Sequence, residues 1–202
     1  MILVGITGGI ACGKTEVSKV FREKGAVVLS GDRIGKDVVE KNRGILKELV
    51  WTFGQEILNK KGGLNRRRLG EIAFASKKSK EKLNRMVHPY LLKELRGKIE
   101  SLGKKHHRGM VVIDAALIVE WGLQRELDYL IFVQSKRGDR IRRLREQKGY
   151  SRKEVEGRIK SQLPETTKRK LADFVIRNNK GLTELREKAN KVWEKIKTKQ
   201  NR

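Results

Sequence analysis

Residues Gly8-Gly9-Ile10-Ala11-Cys12-Gly13-Lys14-Thr15 follow the spacing G-x-x-x-x-G-K-[ST] of a phosphate-binding loop. The chemistry such a loop supports is the grip of a polyphosphate. Gly8 and Gly13 let the chain turn around an anion with no Cβ in the way. Converging backbone N–H groups from Gly8 to Gly13, and the positive end of a helix starting near Thr15 and Glu16, favour negative charge there. Lys14 reaches the outer phosphates in this pattern, and the Thr15 hydroxyl ligates Mg²⁺. Cys12 lies near that helix start, where a thiol can be acidified or can simply be a small residue that fits.

Two acids could complete a phosphoryl-transfer site. Asp32 follows the second apolar run of the chain, Ala26–Leu29. A carboxylate there can take a proton from an attacking hydroxyl, help hold Mg²⁺, or cap a helix. Asp114 ends the run Met-Val-Val-Ile-Asp, the loose pattern of an acid on the metal side of a phosphate site. Arg140, Arg142, Arg143 and Arg145 cluster. They either close over a transferring phosphate or form a solvated helix face. His88-Pro89 offers a substrate contact or a helix-end hydrogen-bonding group. His106 and His107 read as an exposed loop. No histidine or cysteine spacing suits zinc, and no G-x-S-x-G elbow supports serine hydrolysis.

These residues need a scaffold that brings them to one place. Ile2–Ile6, Ala26–Leu29, Met110–Ile113, Tyr129–Val133 and Phe174–Ile176 are short apolar runs without the alternation of a half-wet sheet. Charged, helix-compatible segments separate them. The expectation is a five-stranded parallel sheet with helices on both faces. Ligands of such sheets bind at the carboxyl ends of the strands, where the phosphate loop, Ser30–Asp32 and Asp114 would meet. The gap between the second and third runs is too long for one crossover, so residues 35–105 are expected to form a helical insert. Helices are expected there at Ile45–Phe53, Arg67–Ala75 and Ser79–Lys98. A basic segment, 137–170, follows the fourth run, with Ser151 and Glu154 spaced as a capping box. The tail should be an amphipathic helix with Leu182, Leu185, Ala189, Val192, Trp193 and Ile196 on its apolar side.

The 202 residues carry 49 Lys and Arg against 24 Asp and Glu, a net charge of +25. That field attracts anions. Aromatics are only 5% of residues, too sparse to interleave with the basic ones as a stacking platform for single strands. A general basic bias with anionic substrates is therefore preferred to a dedicated nucleic-acid partner. The one cysteine permits no intrachain disulfide, in keeping with a reducing cytoplasm. The N-terminus enters the first strand directly, leaving no room for a signal peptide, and no apolar run approaches a membrane span.

Together these pieces resemble the dephospho-CoA kinase family nearly end to end. Leu3 to Lys14 is similar to its opening. Phe53-Gly54, Gly63-Leu64-Asn65-Arg66, Leu69-Gly70 and Ala73-Phe74 are similar to its helical insert. Val87-His88-Pro89, Leu117-Ile118-Val119-Glu120, Gln162, Lys168-Arg169, Ala172-Asp173-Phe174-Val175-Ile176 and Asn178 continue the likeness. The resemblance implies a phosphate-loop nucleoside-triphosphatase fold in three layers, a core of 1–34, 106–136 and 171–202, a helical substrate domain at 35–105 and a helical lid at 137–170. It implies transfer of the ATP γ-phosphoryl to the ribose 3′-hydroxyl of dephospho-CoA with Mg²⁺, by a cytoplasmic monomer or small homo-oligomer. Asp32 would be the general base, aided by Lys14. Residues Gly8 to Glu16 with Arg143, Arg145 and Asn178 would bind ATP. Asp32, His88 and Leu117 would meet the acceptor, and Thr15 and Asp114 the metal. The chain departs from the family at several places. Ser30-Gly31-Asp32 stands where Asp-Ala-Asp is usual. Ala11-Cys12 replaces Gly-Ser, which is tolerable if Ala11 keeps φ below zero. Ala116 replaces a proline, and Gln147 replaces a lid arginine, for which Arg143 or Arg145 would substitute.

Overall fold

Ile2, Val4 and Ile6 are β-branched residues that suit a pleated strand, and they open the chain as β1 (Ile2–Gly8). The computed structural model describes residues 1–105 and 108–200, without the side chains of 147, 148, 153 and 200. The loop expected at His106 and His107 lies outside the described residues. Helix α1 (Lys14–Glu23) leaves the phosphate loop and returns the chain to β2 (Val27–Ser30). Helices α2 (Gly31–Lys41), α3 (Arg43–Phe53), α4 (Arg66–Ala75) and α5 (Lys77–Lys104) come next. Then β3 (Met110–Asp114), β4 (Tyr129–Gln134), α6 (Arg137–Lys148), α7 (Arg152–Lys160), α8 (Glu165–Lys170), β5 (Phe174–Arg177) and α9 (Leu182–Gln200) complete the described chain.

The five strands form one sheet in the order β2-β3-β1-β4-β5, and each pairing is parallel. Every expected strand is present, each extended by a residue or two toward its carboxyl end. Val4, Ile6, Val112, Ile131 and Val133 point to one face, where Val17, Val20 and Phe21 of α1 and Leu185, Ala189 and Trp193 of α9 cover them. Phe21 meets Trp193 edge to face at 5.3 Å. Such a pair adds about 0.5–1.5 kcal/mol beyond its burial. Ile113 and Leu130 point to the other face, against Ile34 of α2 and Leu91 and Leu95 of α5. Burial on both faces is why the runs read as continuous apolar stretches. Leu182 departs from the expected apolar side of the tail: it is 63% exposed, at the first position of α9.

Between β2 and β3, a separate apolar cluster holds α2, α3 and α4 together through Val39, Ile45, Leu49, Phe53, Ile57, Leu69 and Ala73. Asn42, Asn65 and Ser76 each accept a backbone N–H from the first turn of the next helix, so three successive helix starts carry side-chain caps. The expected helices start one or two residues late; the first two end where expected, at Phe53 and Ala75, and the third runs on from Lys98 to Lys104. Helix α5 runs through Pro89, whose missing N–H cannot reach back to the preceding turn. The capping box at Ser151 and Glu154 opens α7.

Candidate active site

The register of the sheet brings the candidate residues together. Ile6 of β1 and Ser30 of β2 both lie beside Asp114 of β3, and Gly8 lies beside Val133 of β4. The loop Gly9–Gly13 therefore crosses the carboxyl end of the sheet next to both acids. A Cβ at Gly8 would strike the Val133 carbonyl. Gly13 has φ 106°, and a Cβ there would sit 2.6 Å from the Asn178 side chain. Glycine is needed at both positions for close approach, not only for flexibility.

Ala11 departs from expectation. Its φ is 58°, in the left-handed region, where a side chain costs roughly 1–2 kcal/mol. Neighbouring groups hold this conformation. The Arg143 Nη1 donates to the Ala11 carbonyl at 3.1 Å and to Ser135 Oγ at 3.3 Å. Arg140 Nε donates to the Ile10 carbonyl at 2.8 Å, and its guanidinium pairs with Glu165. Gln162 Oε1 accepts from the Ile10 N–H at 3.3 Å, and Asn178 Nδ2 donates to the Cys12 carbonyl at 3.0 Å. Four side chains from the far half of the chain thus grip the loop. Cys12 is fully buried beneath it, which leaves the small-residue reading of its thiol and not the exposed, reactive one.

A cleft of about 400 Å³ is lined by Ala11, Gly13, Lys14, Thr15, Glu16, Arg143 and Asn178. Lys14 Nζ donates to the Gly9 carbonyl at 3.1 Å, curled over the loop. Asn178 Oδ1 is buried with no partner among the described residues. Arg145 is exposed on α6 and does not line the cleft. Gln147 belongs to the same helix, but its side chain lies outside the described residues.

A second cleft, about 580 Å³, opens beside Asp32. Asp32, His88 and Leu117 all line it, so the structure joins three residues that are far apart in sequence. Asp32 is exposed in the first turn of α2 and is not that helix's cap. Ser30 is the cap, accepting from the Arg33 N–H at 3.3 Å. Serine and aspartate are comparable caps, so this departure keeps the helix start intact. Gly31 has its own reason: a Cβ there would lie 2.8 Å from Ala115 and 3.2 Å from the Trp121 ring. The bulky indole occupies the space an alanine would use.

Asp114 is raised above the ordinary carboxylate range, chiefly by burial. Lys14 opposes that shift, and the charge of Asp32 adds to it. The donor set suits a hard cation: a carboxylate at Asp114 and a hydroxyl at Thr15, with room for phosphate oxygens and water. Among the described residues, no group of three or more His, Cys, Asp or Glu is placed to hold a metal ion.

His88 lies in the middle of α5, not at a helix end, so the helix-end reading fails. Its ring meets Trp121 edge to face at 5.5 Å. Burial and then Lys80 lower its pKa from 6.5 to about 4, against the pull of Glu120. The folded state holds His88 neutral, whereas the unfolded chain takes a proton near pH 6.5. Its contribution to stability is complete above pH 6.5 and is lost as pH falls toward 4. His88→Gln should therefore flatten the acid side of a melting-temperature profile across that window. Parallel profiles for the two proteins would contradict it.

Sequence reasoning missed most of this cleft's wall. Phe74, Trp121, Tyr150 and Arg158 come from four separate segments. It also missed Lys168, 1% exposed, which donates to the Ala116 carbonyl at 2.6 Å and pairs with Glu120 at 2.7 Å. Lys168 entered only through the family likeness; nothing in the basic segment itself marks it as buried, since its apolar neighbour Leu171 is exposed.

Comparison with known proteins agrees with this geometry. The family model described as dephospho-CoA kinase matches residues 2–184. A dephospho-CoA kinase from Fusobacterium nucleatum is 36% identical over 196 residues, covering 97% of this chain and 99% of its own. A crystal structure of a Thermus thermophilus protein superposes with a TM-score of 0.79 at 31% identity, covering 96% of this chain and 97% of that one. Dephospho-CoA kinase from Campylobacter jejuni, 24% identical with a TM-score of 0.64 and 96% of each chain covered, shares the fold. Phosphate loop, facing acids, helical insert and full-length similarity converge, and the chain belongs to the dephospho-CoA kinase family.

Proposed function

We propose a division of labour within this kinase, with ATP in the cleft at Lys14 and Thr15 and dephospho-CoA in the cleft at Asp32. The observation that carries it is that Asp32 lines the larger cleft and Lys14 the smaller one, and that the charges of both act on the buried Asp114. Backbone N–H groups of Gly8 to Gly13, with Glu16 in the next turn, cradle the phosphates. Arg143 releases the Ala11 carbonyl to reach the nucleotide, ahead of the exposed Arg145. Asn178 Oδ1 offers an acceptor to the purine side. His88 and Leu117 shape the acceptor pocket, with His88 neutral.

In the transfer step, Asp32 accepts the proton of the ribose 3′-hydroxyl. The oxygen then bonds to the γ-phosphorus, and the bond from that phosphorus to the β–γ bridging oxygen breaks, leaving ADP. Lys14 follows the charge onto the leaving side. Thr15 and Asp114 would hold Mg²⁺, which when bound neutralises charge on the phosphates. Residues 35–105 act as the substrate domain and 137–170 as a lid that excludes water. The single buried thiol, which needs no oxidising compartment, and the use of ATP support a cytoplasmic setting.

The test is acceptor dependence. ADP release should saturate with dephospho-CoA and respond little to other nucleosides or nucleotides, or to added DNA and RNA. ATP hydrolysis stimulated by nucleic acid, with none by dephospho-CoA, would replace this reading with a nucleic-acid-dependent ATPase suggested by the +25 charge.

A further inference from the structure

Arg158 of α7 packs against two rings. Its guanidinium carbon lies 4.7 Å from the centre of Phe74 on α4 and 4.4 Å from the centre of Tyr150. All three side chains line the larger cleft, and a Cβ on Gly70 would come within 3.2 Å of Arg158 Nη2, so glycine keeps the space open. Contact with the two rings holds the cation and leaves its N–H edge as the way to interact.

That edge has no hydrogen-bond partner among the described residues. The other arginines of the cleft differ. Arg66 donates to Glu40 at 2.7 Å and to the Lys36 carbonyl at 3.0 Å, and Arg67 donates to Glu71 at 3.2 Å. Glu154 feels the charge of Arg158, but its carboxylate accepts the Ser151 N–H at 2.8 Å and closes the capping box. A guanidinium held against two rings, half-buried and without an acid partner among the described residues suits a planar pair of anionic oxygens supplied from outside.

We propose that Arg158 is a specificity-determining residue for the acceptor, binding oxygens of its diphosphate. This rests on the assignment of the larger cleft to dephospho-CoA. The rings remove the rotamer freedom that a long arginine would otherwise lose on binding. Because Phe74 comes from the helical insert and Arg158 from the segment after β4, the same stack joins the two segments over the acceptor.

The experiment compares wild type, Arg158→Gln and Arg158→Lys, measuring KM for each substrate and direct binding of dephospho-CoA and of ATP by calorimetry. Loss of a charge-assisted hydrogen bond should raise KM and Kd for dephospho-CoA about tenfold to a hundredfold in Arg158→Gln. Values for ATP should stay within about twofold, as expected for a contact made to one ligand only. Arg158→Lys keeps the charge without the fork and should fall between, and it keeps the test open if the glutamine variant melts early. Unchanged acceptor binding would overturn the proposal. Equal losses for ATP and dephospho-CoA would overturn it too, marking a purely structural clasp. Wild type that fails to phosphorylate dephospho-CoA removes the underlying cleft assignment instead, so the two failures are distinguishable.

Discussion

Asp32→Asn is expected to lower turnover about a thousandfold, within the range a positioned general base contributes. The change keeps the shape of the side chain and removes its ability to take a proton. It should leave the fold intact, because Ser30, not Asp32, caps α2, and Asp32 is exposed at the cleft. ATP affinity should be nearly unchanged, since the phosphate loop is held by Arg140, Arg143, Gln162 and Asn178 from other segments. A further consequence follows from the neighbouring acid. The charge of Asp32 helps to raise Asp114, so its removal should let Asp114 titrate lower. Single-turnover rates and ATP calorimetry on the same preparation check both parts. Near-normal turnover would refute the base assignment, and lost ATP binding would show that Asp32 acts on the nucleotide side.

The largest effect on stability is expected from Lys168→Met. Lys168 is buried, and burial lowers its pKa despite the pull of Glu120. Desolvation therefore outweighs pairing for this ion pair, the usual balance in an interior. Removing only the lysine leaves Glu120 with one oxygen on the Leu163 N–H and the other without a partner. Such a break costs about 3–5 kcal/mol. For a domain of this size that lowers the melting temperature by roughly 10 °C. The Ala116 carbonyl would still accept from Thr7 Oγ1 at 3.2 Å, so the cleft wall should loosen without collapsing. Adding Glu120→Gln to Lys168→Met should recover at least half of the loss, because the uncompensated charge goes. A single variant that melts within a degree of wild type, or a double variant that melts lower still, would contradict this account.

The sheet was legible because its strands are buried on both faces. Val111, Val112, Ile131 and Phe132 leave no polar alternation to confuse the reading. The phosphate loop was legible because its spacing is dictated by the geometry of a bound anion. Helix α2 was foreseen only as an option after Asp32, since Gly31 and Gly35 weaken its propensity and its stability comes from packing on α5. The sign of φ at Ala11 depends on carbonyls held by Arg140 and Arg143, which no local pattern reveals. Nor could composition distinguish Lys168 from the exposed Arg169 and Lys170 beside it. Its burial depends on Glu120, brought close by the fold. The ring pair around Arg158 is likewise a product of two helices meeting.

The central claim is transfer of one phosphoryl group from ATP to the ribose 3′-hydroxyl of dephospho-CoA. The most direct measurement is the product itself: incubation with ATP, Mg²⁺ and dephospho-CoA, then mass and phosphorus NMR of the acceptor. The expected result is a gain of one phosphate, as a 3′-monoester, in equal amount to the ADP formed. ADP formed without phosphate gained by the acceptor, or phosphate at another hydroxyl, would contradict it.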